Sequence, residues 1–268
     1  IVKAFAEPFE VEGRRIFASV SVGIVAHDPS VTEADGINAD IMLQNCDLAL
    51  YRAKEERSDS GAFELFEPAL RANLKQRREM ELDLKAALDA EEFELYYQPF
   101  VDMADKRVSG FEALLRWRHP EKGMISPSVF IPLAEEAGLI ERLGVWCLET
   151  ACAEAATWPE SMTISVNLSP MQFKSATLLS DIDRALNNSG LAAERLQIEV
   201  TESLFLDESD RVLDILKEMR RRGLTVSMDD FGTGYSSLGY LSRFSFNKIK
   251  IDQSFVRDMG RAENLAIV

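Results

Sequence analysis

The sequence predicts an α/β protein whose larger part is a barrel of strand–helix units, and three observations support that prediction. From residue 93 onward, short β-branched segments alternate with amphipathic stretches of helical length, which is typical of parallel sheets. The predicted strands have one apolar and one polar face, although a parallel sheet covered by helices should be apolar on both. Their polar residues also lie near the carboxyl ends. A closed α/β barrel with a polar mouth explains all three observations. An antiparallel sheet with one wet face is the alternative.

The first part of the chain contains fewer predicted elements. Residues 16–26 alternate in polarity and predict a buried strand, and residues 38–57 have the apolar spacing of a packed helix. Residues 67–90 begin at Glu67-Pro68 and predict an amphipathic helix. This helix is either a connector between two domains or the first helix of the second domain. The length of 268 residues favours two domains.

The alternating region opens with a predicted β-hairpin. Residues 93–101 and 108–117 form its strands, with a short polar turn at 102–107. A long helical region follows at 128–157, with a kink or break near Gly138 and Gly144. The remaining predicted elements are a strand at 162–168, a helix near 178–188, a strand at 196–201, a helix near 208–222, a strand at 224–229, a short helix near 236–243 and a strand at 248–252.

The polar faces of these strands carry groups that bind cations. In the strand at 162–168, Ile164 and Val166 share one face, and Ser165 and Asn167 share the other. The same alternation puts carboxylates, a carboxamide and a lysine at other strand ends. In a barrel these would meet at one mouth, and the full set is Glu112, Asn167, Glu199, Asp229, Asp230 and Lys250.

The segment at 226–234 is the most informative of these strand ends. An apolar strand ends in the adjacent pair Asp229-Asp230, and Gly232 and Gly234 follow. Burying adjacent carboxylates costs several kcal/mol unless a cation lies between them, and a divalent metal ion serves that purpose. Carboxylates shared between two metal ions favour a two-metal hydrolysis at phosphorus.

Composition narrows the class of site and partner. The net charge of −15 argues against binding a DNA or RNA polymer through a basic surface. Only two histidines are present, so a metal site would be built mainly from oxygen, which selects Mg²⁺, Mn²⁺ or Ca²⁺. The three cysteines lack metal-ligand spacing and fit a reducing cytosol. No apolar run reaches the ~18 residues of a membrane span, and no signal peptide is visible. Because the chain begins at Ile1, we expect a fragment of a longer protein.

The chain resembles the EAL family of cyclic-di-GMP phosphodiesterases. The matching motifs run in family order from about residue 78 to the end. They are Tyr97-Gln98-Pro99, Glu112-Ala113-Leu114-Leu115-Arg116-Trp117, Phe130-Ile131-Pro132-Leu133-Ala134-Glu135-Glu136, Ser165-Val166-Asn167-Leu168-Ser169, Glu199-Val200-Thr201-Glu202-Ser203, the loop at 229–235, and Lys250-Ile251-Asp252-Gln253-Ser254-Phe255.

The resemblance implies specific roles. Glu112, Asn167, Glu199 and Asp229 resemble the family's metal ligands, and Asp230 serves a second metal ion. Lys250 resembles the residue that orients or deprotonates the attacking water, so the implied catalytic set is Lys250, Glu112, Asp229 and Asp230. The implied substrate-binding residues are Gln98, Leu114 and Arg116. Glu202 resembles the glutamate that holds the loop at 229–235, which in the family links metal binding to dimerisation.

The implied fold is a modified (β/α)₈ TIM-like barrel with an antiparallel first strand, covering 91–268. Six barrel strands are visible, and a closed barrel needs eight, so the last strands and the residues that complete the second metal site are missing from this chain. Residues 1–66 resemble the C-terminal part of an α+β GGDEF domain through Ser19-Val20-Ser21-Val22-Gly23 and the run from Cys46 to Lys54. Residues 67–90 would then be the connector helix. The Gly-Gly-Asp-Glu-Phe motif is absent, and Arg57-Ser58-Asp59-Ser60 departs from the family pattern after Lys54.

The implied activity is hydrolysis of cyclic di-GMP to linear pGpG with two Mg²⁺ or Mn²⁺ ions per site. Two alternatives stay open: an inactive cyclic-di-GMP receptor, and a phosphodiesterase regulated by its GGDEF remnant. The resemblance also implies a homodimer formed through the EAL domain, and we expect a cytoplasmic location. This fragment should not contact a membrane, although an unseen N-terminal region would be able to tether the full-length protein.

Overall fold

The computed structural model describes residues 1–5, 7–26, 39–55, 61–205, 210–232 and 244–258. The chain divides into two compact units, Ile1–Met80 and Glu81–Val268. The division falls inside one continuous helix, α2 (Pro68–Ala87), where the sequence predicts the helix at 67–90. None of the described helices is long and apolar enough to cross a membrane.

The first unit has two small sheets. Strands β1 (Phe9–Val11) and β2 (Arg14–Ile16) pair antiparallel, and β3 (Val20–Ile24) pairs parallel with β4 (Gly61–Leu65). Helix α1 (Ala39–Glu55) packs closely on β3, because Gly23 has no Cβ to meet the backbone of Cys46 and Leu50. The single strand predicted at 16–26 is wrong in its bounds, because Arg14–Ile16 and Val20–Ile24 form two separate strands. Strand β4 was not predicted.

The second unit contains the alternating strands and helices. Its strands are β5 (Phe93–Val101), β6 (Val108–His119), β7 (Gly123–Ile125), β8 (Thr163–Asn167), β9 (Leu196–Thr201), β10 (Thr225–Phe231) and β11 (Lys248–Ile251). Its helices are α3 (Pro127–Glu136), α4 (Ile140–Ala156), α5 (Leu178–Ser189), α6 (Asp210–Arg221) and α7 (Gln253–Asp258). The predicted helix at 236–243 lies outside the described residues.

These strands form one sheet in the order β11-β10-β9-β8-β6-β5, with β7 attached to β6. The pairs β6–β8, β8–β9, β9–β10 and β10–β11 are parallel, so the antiparallel alternative is wrong for them. The short strand β7 pairs antiparallel with β6. Strand β5 pairs antiparallel with β6 and confirms the predicted hairpin. The sheet thus brings the carboxyl ends of five parallel strands to one edge.

The sheet is strongly curved. Neighbouring strands lie about 4.8 Å apart, so a flat sheet would separate β6 and β11, four positions apart, by roughly 19 Å. Yet the ammonium of Lys250 on β11 lies 2.9 Å from a carboxylate oxygen of Glu112 on β6. The six strands therefore curl around a polar interior.

Helices cover the outer face of the curved sheet. Ile164, Ile198 and Val226 point from β8, β9 and β10 into the apolar core between sheet and helices, and none is exposed.

The predicted helical break at Gly138 is confirmed, because Gly138 adopts a φ of 68° between α3 and α4. The predicted break at Gly144 is wrong: this residue lies inside α4, where the side chain of Gln172 leaves no room for a Cβ.

Candidate active site and metal centre

Three carboxylates meet at the carboxyl edge of the sheet. Glu112 on β6, Glu199 on β9 and Asp229 on β10 each offer an oxygen, and these atoms lie within 4.8 Å of one another. The parallel register explains the meeting, since Asn167 on β8 pairs with Glu199 and Asp229 pairs with Thr201, two residues after Glu199. The inward-facing positions therefore advance by two residues from β6 to β8 and again from β9 to β10, and their side chains converge at the mouth of the curved sheet.

Lys250 lies at the centre of this carboxylate cluster. Its ammonium donates to Oε2 of Glu199 at 2.6 Å, and to Oε2 of Glu112 and Oδ2 of Asp229 at 2.9 Å each. Burial lowers the pKa of Lys250, but the hydrogen bonds to Glu199 and Asp229 outweigh this, and the pKa is raised overall. Lys250 is thus an ammonium ion at neutral pH.

Glu199 is the most buried member of the cluster, with no exposed surface. Burial raises the pKa of Glu199, the charges of Glu112 and Asp229 act in the same direction, and the hydrogen bond from Lys250 opposes them. Three carboxylates share one lysine, so the cluster retains negative charge when all are ionised. Such a concentration of hard oxygen donors suits Mg²⁺ or Mn²⁺.

Asn167 completes the oxygen-rich rim from β8. Its side-chain nitrogen donates to Oε1 of Glu112 at 2.8 Å. This bond engages the amide nitrogen, so the amide oxygen is the atom of Asn167 that would bind a cation. The structure thus brings together five of the six groups predicted to meet: Glu112, Asn167, Glu199, Asp229 and Lys250.

Asp230 is placed differently from its neighbour. The ladder between β10 and β11 shifts register between Met228 and Phe231, and Asp230 has a φ of 52°. Its backbone nitrogen donates to Oδ1 of Asp229 at 2.9 Å, while the residue itself is exposed. Burial of its carboxyl group and the adjacent charge of Asp229 raise the pKa of Asp230. Asp230 therefore lies beside the carboxylate cluster and not within it.

Glu202 contacts the start of the loop that follows β10. Its Oε2 accepts a hydrogen bond from the backbone nitrogen of Gly232 at 3.3 Å. Gly232 adopts a φ of 97°, and the ring of Phe255 occupies the space that a Cβ would need. Both features require glycine. Residues 233–235 of the predicted loop lie outside the described residues.

A cavity of about 590 Å³ opens next to the carboxylate cluster, and Leu114, Arg116 and Asn167 help to line it. The guanidinium carbon of Arg116 lies 5.3 Å from the ring centre of Tyr96, which holds the side chain at the cavity wall. Gln98, the third predicted substrate-binding residue, is exposed on β5 and pairs in register with Glu112.

Sequence reasoning missed Gln197 as part of the site. Its side-chain nitrogen donates to Oε1 of Glu199 at 3.0 Å, and the residue is only 5% exposed. A signal was present, because Gln197 lies two residues before Glu199 and so shares its face of β9. The alternation places the side chain on that face, but the hydrogen bond depends on rotamers that a sequence pattern does not contain.

Comparison with known proteins agrees with the sequence resemblance. A family model described as the EAL domain matches residues 81–268. An uncharacterised protein of Sinorhizobium fredii is 43% identical over 100% of this chain and 32% of its own length. MucR of Pseudomonas aeruginosa, named a bifunctional diguanylate cyclase/cyclic di-GMP phosphodiesterase, is 36% identical over 100% of this chain and 39% of its own length. The chain spans about a third of the length of these curated relatives.

Several solved structures with the same fold have cyclic di-GMP in their descriptions. A PaMucR phosphodiesterase complex with c-di-GMP superposes with a TM-score of 0.67 at 40% identity, covering 70% of this chain and 78% of that one. The EAL enzyme Bd1971, bound to cAMP and cyclic di-GMP, superposes with a TM-score of 0.69 at 26% identity, covering 88% of this chain and 63% of that one.

Proposed function

The chain belongs to the EAL domain family, and from that membership we propose that its second unit hydrolyses cyclic di-GMP to the linear dinucleotide pGpG. The observation that carries the proposal is the meeting of Glu112, Glu199 and Asp229 around Lys250 at one mouth of the sheet. Relatives that bear the name cyclic di-GMP phosphodiesterase, NbdA of Pseudomonas aeruginosa among them at 36% identity, support it.

The proposed cofactors are two Mg²⁺ or Mn²⁺ ions. The ligands would be Glu112, Asn167, Glu199 and Asp229, with Asp230 serving the second ion. The donor set fits these cations, because it consists of carboxylate and amide oxygens and includes one carboxylate with no access to solvent. When bound, divalent cations lower the pKa of water and stabilise charge at phosphorus.

The protein's own groups would position the substrate and the nucleophile. Lys250 donates hydrogen bonds to three carboxylates. By exchanging one of these bonds, the ammonium would donate to the attacking water and orient it. Arg116 lies on the cavity wall where it would pair with a phosphate oxygen, and Leu114 offers apolar surface beside it. Gln98 would contribute from the adjoining strand. Glu202 would keep the loop after β10 in its working shape through Gly232.

Product analysis tests the proposal. Purified full-length protein is incubated with cyclic di-GMP and Mn²⁺ or Mg²⁺, and the nucleotides are separated by chromatography. We expect pGpG as the product. Adding a chelator should stop the reaction, and Glu112→Gln should lower the rate by orders of magnitude. Lys106→Gln is a suitable control, because Lys106 lies in the turn between β5 and β6, away from the mouth. Tight binding of cyclic di-GMP without product would instead favour a receptor.

Four further features belong to the proposal. Residues 1–66 would be the C-terminal part of a GGDEF domain; the match of the whole chain to MucR supports this. The curved sheet would continue into a closed (β/α)₈ barrel. The protein would dimerise through the EAL domain and act in the cytoplasm. Rates unchanged by deletion of residues 1–66, or by added GTP, would argue against regulation by the first unit.

A further inference from the structure

We propose that Gln197 is a positioning residue whose side-chain amide fixes the buried carboxylate of Glu199 in the orientation that cation binding requires. The inference rests on the proposed function, since it concerns the same metal centre. It adds a residue from inside the sheet to the groups that form the rim.

The hydrogen bonds of Glu199 divide between its two oxygens. Oε2 faces the mouth and accepts from Lys250 at 2.6 Å, whereas Oε1 accepts from Nε2 of Gln197 at 3.0 Å. Both Glu199 and Gln197 are buried. Because Oε1 is held from inside, the carboxylate cannot rotate about its terminal bond without losing a charge-assisted hydrogen bond. The amide therefore fixes the plane of the Glu199 carboxylate, so that one of its two equivalent oxygens points to the mouth.

Small side chains surround this pair. Ser165 on β8 and Thr225 on β10 are the register partners of Gln197, and Asn167 on β8 and Ser227 on β10 are those of Glu199. Oγ of Ser165 is buried and has no hydrogen-bond partner among the described residues, so it does not compete for Gln197 or Glu199. Within the described part of the interior, the amide of Gln197 is the group that donates to Oε1 of Glu199.

The neutrality of the amide also matters. A carboxylate at position 197 would place a second acceptor 3.0 Å from Oε1 and would repel it. An apolar side chain of similar length would leave Oε1 buried without a donor, which is costly for a charged group. The neutral amide satisfies Oε1 and leaves the charge of Glu199 available to a cation.

The test is direct titration of Mn²⁺ into metal-free protein, measured by calorimetry, for wild type, Gln197→Met and Ser165→Ala. Gln197→Met preserves side-chain length and removes only the amide, and we expect the dissociation constant for Mn²⁺ to rise about 10- to 100-fold. Ser165→Ala lies in the same layer but removes no hydrogen bond, so its dissociation constant should stay within about twofold of wild type. If Gln197→Met does not fold, Gln197→Asn, whose amide is too short to reach Glu199, replaces it with the same expectation.

The outcomes separate this inference from the proposed function. If wild type binds Mn²⁺ and Gln197→Met binds it equally well, the positioning role is wrong and the proposed function stands. If wild type binds no Mn²⁺ and yields no pGpG, the proposed function itself fails. If Gln197→Met lowers the melting temperature but leaves Mn²⁺ affinity per folded molecule unchanged, Gln197 is merely structural and the inference is overturned.

Discussion

Replacing Lys250 with methionine should make the stability of this protein depend on divalent cations. Lys250 lies 2.6–2.9 Å from three carboxylate oxygens, and its removal leaves Glu112, Glu199 and Asp229 facing one another. At 4.8 Å and an effective dielectric constant of about 20, each ionised pair repels by roughly 3.5 kcal/mol, or about 10 kcal/mol for three pairs. The carboxylates will take up protons before that full repulsion develops.

The net loss in the free energy of unfolding is therefore smaller than the repulsion energy between the carboxylates. Removing one partner of a buried ion pair costs about 3–5 kcal/mol, which corresponds to a fall of roughly 6–20 °C in melting temperature for a domain of this size. We expect Lys250→Met to show this loss in chelator and to recover much of it in saturating Mg²⁺, because the cations supply the missing positive charge. Wild type should gain less from Mg²⁺ than the variant does.

Thermal melts followed by circular dichroism, with and without metal, measure this directly. Lys248→Met is the matched control: Lys248 lies on the same face of β11, exposed and 4.5 Å from the ring centre of Phe100, outside the carboxylate cluster. Lys248→Met should lower the free energy of unfolding by at most about 1 kcal/mol, both with and without metal. A melting temperature of Lys250→Met equal to that of wild type in chelator would contradict this role of Lys250. So would a fall in melting temperature that is the same with and without Mg²⁺.

Three other predictions concern loop, salt bridge and thiols. Glu202→Ala removes the acceptor for the backbone nitrogen of Gly232 and should weaken Mn²⁺ binding about tenfold with unchanged circular dichroism; unchanged affinity would exclude the loop role. The hydrogen bond from Lys122 lowers the pKa of Asp83, so the carboxylate stabilises the fold above its unfolded pKa near 3.8 and loses this effect as pH falls. In denaturant titrations, Asp83→Asn should lower the free energy of unfolding by up to about 1 kcal/mol at pH 7 and leave it unchanged in strong acid. The expected loss is small because the Asp83 side chain is 36% exposed and water screens the ion pair. A loss that does not depend on pH would contradict this. Burial raises the pKa of Cys147 and Cys152 to about 12, so at pH 8 only about one molecule in ten thousand is a thiolate, and peptide mapping after iodoacetamide treatment should find both unlabelled until the protein unfolds.

Alternating polarity predicted the strands, because the side chains of a strand repeat with a period of two. It also predicted which residues meet at the site, because the carboxyl ends of parallel strands lie at the same edge of the sheet. Glu199 illustrates this: its position on the polar face of β9 was enough to place it with Glu112 and Asp229. Gly144 illustrates the limit, since a glycine in a helical pattern signals either a break or a close contact. Only the approach of Gln172, 28 residues later in the chain, decides between them.

Other features depend on geometry that no local pattern contains. Strand β4 is only five residues long, and its pairing with β3 depends on a partner far away in sequence. The cavity beside the carboxylate cluster is lined from Ala113 to Ser203, so its shape follows from tertiary packing. The exposed position of Asp230 follows from the register shift after Met228, which adjacent aspartates do not predict.

Mn²⁺ binding by three single-site variants tests the central claim most directly. Glu112→Gln, Glu199→Gln and Asp229→Asn each remove one charge from a different strand while preserving side-chain size. If the three carboxylates form one metal centre, each variant should lose high-affinity Mn²⁺ binding that the wild type shows. Undiminished Mn²⁺ binding by any two of the three variants would contradict a shared centre built from β6, β9 and β10.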